Sequence, residues 1–173
     1  MNAPFRPIRE TMRLADLREP DECARIDAFV AAHPEGTPFH RPAWLAAVAE
    51  GTGNRALALL SGRGGEIDAY LPLNAVHSPI FGRVLASSGF AVGGGVLTAP
   101  GADPAALFAA AEELALRLSS PSIELRGGEL PADRAGWSIK TESPCGFVAP
   151  LAADDEAQLL AIPRKPRAEV RTA

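Results

Sequence analysis

The chain has 173 residues, 47% hydrophobic and 22% charged, which suits one folded domain of ordinary size and excludes wholesale disorder. The formal charge is −4, against a general nucleic-acid binder, but it is unevenly spread: residues 163–173 carry Arg164, Lys165, Arg167 and Arg171 against Glu169 alone. Residues 1–10 lack the apolar core of a signal peptide, and no apolar run approaches the roughly 18–20 residues of a membrane span, so the expected compartment is the cytoplasm.

Residues 12–17 alternate apolar and polar, which predicts a strand. Asp21 is placed to cap a helix through about Ala32, with Cys23, Ile26, Phe29 and Val30 on one face. His33-Pro34-Glu35-Gly36 ends it, and Pro42 opens a second helix carrying Trp44, Leu45 and Val48 until Gly51 and Gly53 stop it. Two apolar strands, Arg55 to Leu60 and Ile67 to Val76, flank the turn Gly62-Arg63-Gly64-Gly65. Pro72 in the second strand predicts an edge or a bulge, because proline cannot donate to a ladder.

Short strands at Val84–Ala86 and Val96–Thr98 then surround Gly93-Gly94-Gly95. Asp103-Pro104 reads as an N-cap with proline at the first helical position, and the helix runs to about Leu118. Ser122 to Arg126 reads as a strand with Glu124 and Arg126 on one face, and Trp137 to Lys140 and Cys145 to Val148 as two more. Asp154 caps a last helix through about Ala161, followed by Pro163 and Pro166. Strand runs interleaved with helices predict an α/β (α+β) domain with a mixed, mostly antiparallel sheet covered by helices.

Self-sufficient catalytic constellations are missing from this pattern. His33, His40 and His77 are scattered, with no second ligand at metal-binding spacing, and His33 and His40 read as solvated loop residues. Cys23 and Cys145 form no C-x-x-C pair and read as reduced, partly buried thiols; Cys145 has no base beside it in sequence. Ser87-Ser88-Gly89 is not a nucleophile elbow. Gly93-Gly94-Gly95 leads into an extended segment rather than a helix, so it reads as a turn or bulge and not as a phosphate cradle. No cofactor is called for. Glu124 and Arg126 form either a solvated charge pair or a polar grip on a substrate. Arg164, Arg167 and Arg171 would share a helical face able to hold a phosphate or an acidic neighbour, unless the segment is simply a solvated terminus.

The succession Phe39-His40-Arg41-Pro42-Ala43-Trp44, Leu71-Pro72-Leu73, Phe81-Gly82-Arg83, Gly93-Gly94-Gly95, Ile123-Glu124-Leu125-Arg126 and Ile162-Pro163-Arg164-Lys165-Pro166-Arg167 resembles FemAB-related proteins, in particular those associated with PEP-CTERM/exosortase systems. The resemblance covers about residues 35–172. It implies a GNAT-like acyl-CoA N-acyltransferase fold and transfer of an acyl or aminoacyl group to an amine of a cell-envelope precursor, peptidoglycan or exopolysaccharide. Pro163, Arg164, Lys165, Arg167 and Arg171 match the family's Pro-Arg-Lys-x-Arg-x-x-x-Arg stretch, although Pro166 stands where helix-friendly residues are usual.

The resemblance makes residues 1–162 one GNAT-like domain, and residues 163–173 the lead into an absent second one. The partners it implies are that second domain and, for the intact protein, an aminoacyl-tRNA or acyl-CoA donor, with no metal. On this reading Arg164, Lys165, Arg167, Arg171, Glu124 and Arg126 are the candidate substrate-binding residues, and the chain alone is expected to be inactive. A non-catalytic module that packs on a partner domain is the competing expectation.

Overall fold

A computed structural model describes residues 12–80, 82–129, 136–140 and 149–172. They fall into two compact units, divided along the chain between Ser138 and Ile139.

In the first unit the elements run β1 (Arg13–Leu14), α1 (Pro20–Ala32), a 3-10 turn (Pro38–His40), α2 (Pro42–Thr52), β2 (Arg55–Ser61), β3 (Ala69–Ser78), β4 (Gly82–Ser87), β5 (Leu97–Thr98), α3 (Ala105–Arg117) and β6 (Ile123–Glu124). The sheet order is β1-β2-β3-β4-β6, and β5 lies alongside the start of β3. All pairings are antiparallel except β4 with β6, where Leu85 stands opposite Ile123. That parallel pair needs a crossover, and α3 supplies it.

Alternation along the central strands sorts side chains to two faces. Leu57, Leu59, Leu71, Leu73 and Leu85 meet Leu107, Phe108, Ala111 and Leu114 of α3. Ala58, Leu60 and Tyr70 turn the other way, onto Ile26 and Val30 of α1 and Leu45 of α2. With both faces covered, β2 reads as an unbroken apolar run rather than an alternating one. Arg83 of β4 donates to the Leu118 carbonyl (3.2 Å), placing a cation at the negative end of α3.

Several local expectations shift. Pro20, at the first helical position, starts α1 with Glu19 as N-cap, so Asp21 sits in the first turn instead of capping it. Pro72 is buried in a central strand, paired with Ala58. Its carbonyl accepts from Ser88 N (3.1 Å), so its ring nitrogen faces the same side, where β3 passes from β4 to β5 and no ladder donor is required. Among Ser122–Arg126 only Ile123–Glu124 is strand, and 137–140 form none. Trp137 instead lies against Phe108 and donates to Glu112 (2.9 Å). The strand expected at Cys145–Val148 lies outside the described residues.

In the second unit α4 (Asp155–Ala161) is capped by Asp154, whose Oδ1 accepts from Ala157 N (2.8 Å). α5 (Arg164–Thr172) continues through Pro166, which falls in the first turn, where a missing amide donor breaks no helical bond.

Candidate functional site at the carboxyl ends of β4 and β6

In open sheets with parallel strands, ligands favour the crevice beyond the strands' carboxyl ends. At that end of this sheet the chain's own loop packs on the segment after β6. Residues 88–96 leave β4 and pack on residues 126–128, which follow β6, with an isolated bridge between Val96 and Gly128. A Cβ on Gly95 would run into the Gly127 carbonyl, and one on Gly94 into the Ser88 side chain. Two of the three glycines are therefore there for close backbone approach, as a turn or bulge requires.

The loop is anchored from several directions. Ser88 Oγ donates to the Phe39 carbonyl (2.7 Å), Gly89 N donates to Asn74 Oδ1 (2.9 Å), and Arg126 Nη1 donates to the Ala91 carbonyl (3.0 Å). Trp44 stands edge-on to Phe39 and reaches the Gly89 carbonyl through its indole N–H (3.4 Å). Ser88 and Phe90 hold positive φ values of 41° and 64°, left-handed conformations that persist only where the surroundings fix them. Ser87 Oγ accepts from Arg126 N (2.8 Å), an anchoring bond and not a nucleophile's arrangement.

Beneath the loop lie His40 and Asn74, both buried. His40 Nδ1 sits 3.1 Å from Thr37 N and 2.8 Å from Thr37 Oγ1, while its carbonyl takes the Tyr70 hydroxyl (2.8 Å). Burial lowers the proton affinity of the His40 ring and pushes the Tyr70 phenol well up. Among the described residues Asn74 Nδ2 has no hydrogen-bond partner; His40 Nε2 has none at full hydrogen-bond geometry, although the Gly95 backbone lies near enough to favour a charged ring. His40 is thus not the solvated residue its place before a helix suggests: the 3-10 turn folds it under α2.

Glu124 and Arg126 come together as the two-residue spacing implies, Arg126 Nε donating to Glu124 Oε1 (2.9 Å). With Nη1 on Ala91, the guanidinium serves as a strap on the loop. Arg164 and Lys165 are exposed on α5, and Arg171 is in its last turns. Arg167 is half-buried and donates to the Ile162 and Leu160 carbonyls (2.7 and 2.9 Å), closing the end of α4. Cys145 lies outside the described residues, and Cys23 is a half-buried thiol against the Leu17 carbonyl (3.4 Å) whose proton is held by burial. His33 bonds the Thr98 carbonyl (2.8 Å) and His77 is exposed. The described residues contain no cluster suited to a metal ion.

The start of α3 is also occupied. Pro104 is its N-cap residue, and Asp103 Oδ1 accepts from Ala105 N (2.9 Å), so a carboxylate already stands where an anion would bind. A groove of about 500 Å³ lies elsewhere, along the end of α3, lined by Ala115, Leu116, Ser120, Ile123 and Trp137 among others.

No protein-family model and no curated protein matches the chain by sequence. Solved structures do match it. The ribosomal-protein-alanine N-acetyltransferase from Brucella melitensis biovar Abortus 2308 superposes with a TM-score of 0.52 at 15% identity, over 82% of this chain and 99% of that one. A probable acetyltransferase gives a TM-score of 0.47 at 12% identity, over 83% and 99% of the two chains. Together with the mostly antiparallel sheet, its one parallel pair and the helices on both faces, the similarity to the Brucella enzyme shows that this chain has the GNAT-like N-acyltransferase fold.

Proposed function

We propose that the chain is the N-terminal half of a FemAB-type transferase that moves an acyl or aminoacyl group onto an amine of a cell-envelope precursor, peptidoglycan or exopolysaccharide. In this reading a second GNAT-like domain completes the transfer cleft. One observation carries it: the fold is that of an acyltransferase, yet the chain's own groups stand where such a domain would take its donor. The 88–96 loop packs on residues 126–128, and Asp103 and Pro104 occupy the start of α3.

Amide formation of this kind asks the protein to align an amine with an activated carbonyl and to stabilise the oxyanion that develops. The loop packed on residues 126–128 leaves less room for either task at this end of the sheet. In this reading Arg164 and Lys165, exposed on α5, together with Arg171 hold phosphates of a donor such as aminoacyl-tRNA. Arg167 keeps a structural role at the end of α4.

The test offers the purified chain acetyl-CoA and charged tRNA in parallel. Calorimetry with CoA is expected to show no saturable binding, and neither donor is consumed. Filter retention of charged tRNA at low salt is expected, and Arg164→Glu with Lys165→Glu should weaken it about tenfold or more through lost phosphate pairing. Acetyl transfer by the chain alone, or tRNA retention indifferent to the double variant, would refute the reading. A packing module is favoured instead by the exposed Leu151, Leu160 and Val170 of the second unit. That alternative predicts no tRNA retention at all, and capture of a folded partner domain that Val170→Glu abolishes.

A further inference from the structure

We propose that His40 is a proton-operated latch: neutral, it holds the glycine-rich loop 88–95 against the segment that follows β6, and protonated, it lets that loop go. The inference is independent of any donor or acceptor.

The geometry at Nδ1 carries it. The Thr37 backbone N–H donates to His40 Nδ1 at 3.1 Å, so this nitrogen must be bare and the ring proton must sit on Nε2. Adding a proton to Nδ1 sets two N–H donors against each other across that distance. The Thr37 hydroxyl, 2.8 Å away, can rotate to accept, but the backbone N–H cannot. Opening the capping box in which Thr37 and His40 hold each other relieves that conflict.

That box also bears on the loop. The His40 carbonyl takes the Tyr70 hydroxyl and the Phe39 carbonyl takes Ser88 Oγ, so a shift of the 37–41 segment withdraws the shorter of the two acceptors of Ser88 and leaves the Gly94 carbonyl at 3.3 Å. Ser88 and Phe90 are in strained conformations, so weakening that hold favours relaxation at this end of the loop, while Gly89 on Asn74 and Arg126 on Ala91 keep the rest in place.

The groups facing His40 are few. His33 at the end of α1 opposes a second positive charge, while the backbone of Gly95 in the loop, the backbone of Thr37 and the Glu35 carboxylate favour one. Tyr70 of β3 remains neutral, and Arg41 at the start of α2 is committed to Asp27 of α1 (2.9 Å). Burial dominates them and favours the neutral ring.

Trp44 reports the latch, because it touches both Phe39 and the Gly89 carbonyl. In a Trp137→Phe background, Trp44 emission and acrylamide quenching are followed from pH 8 to pH 5 beside far-UV circular dichroism. The expected result is one step with a midpoint below about pH 6.5, the ordinary histidine value, and helix and strand content retained throughout. His40→Asn, whose side-chain oxygen can replace the Nδ1 acceptor, should lose the step. Ser88→Ala should show acid-like emission already at pH 8 and also lose it. A step that survives in either variant, or no step in the parent before the fold is lost, overturns the proposal; should His40→Asn not fold, Ser88→Ala alone decides it.

Discussion

Glycines in a run are not equivalent, and the loop after β4 lets each be tested. Gly95→Ala sets a methyl group against the Gly127 carbonyl, so about 1–3 kcal/mol of stability should be lost, read as a lower denaturant midpoint. Gly93→Ala meets open space with no positive φ, and should be neutral or slightly stabilising. His40 makes a separate prediction about pH. Its folded form resists the proton, so the unfolded chain binds protons first on acidification. Its contribution to stability is complete above about pH 6.5 and is lost as pH falls toward the lowered folded value. Urea midpoints measured from pH 8 to pH 5 should therefore fall less steeply for His40→Asn than for the parent. The run Gly93–Gly95 is plain in the sequence, but its packing on Gly127 and Gly128 is a contact across more than thirty residues that no local pattern encodes. Asn74, polar within the apolar Leu73–Val76 stretch, was the one local sign of the buried cluster. His40 gave none, because a histidine ahead of a helix looks the same whether the turn before it faces water or the sheet.

At the level of elements, periodicity located α1, α2 and α3, because each buries one face, and apolar runs bounded by glycine located the β2–β3–β4 meander. The ends were less legible. Proline at a first helical position fixed the start of α1 more firmly than the acidic cap expected one residue later. The pattern at 137–140 predicts a strand, yet Trp137 packs against Phe108 without a ladder. Two substitutions check the elements that were read well. Phe108→Ala, which empties the contact between α3 and the sheet, should cost about 3–5 kcal/mol in equilibrium unfolding. Asp154→Ala removes the cap of α4 and should cost that helix about 1 kcal/mol, visible as a loss of helical chemical shifts at 155–158.

For the molecule as a whole, the order of strands and helices already implied a mixed sheet between helices, and the match to the Brucella enzyme has that architecture. Function was less legible, since a fold hosts many chemistries and the site must be argued from its own residues. Here the described residues place the loop after β4 against the segment after β6. The charge asymmetry survives as an exposed basic surface on α5, with Arg167 withdrawn from it to serve α4.

The single parallel pairing also bears on how the chain acquires its shape. β2, β3 and β4 join by short turns, whereas Leu85 reaches Ile123 only after α3 has been threaded between them. Closing the longer span loses more chain entropy before any contact rewards it, so the meander should assemble early and the crossover late. Conservative truncations at Leu59 and Leu71 should slow refolding, with φ-values well above those at Leu85 and Ile123, where the same change should mainly speed unfolding. The loop over β4 and β6 would then be the last part of this unit to lock, and the first to open.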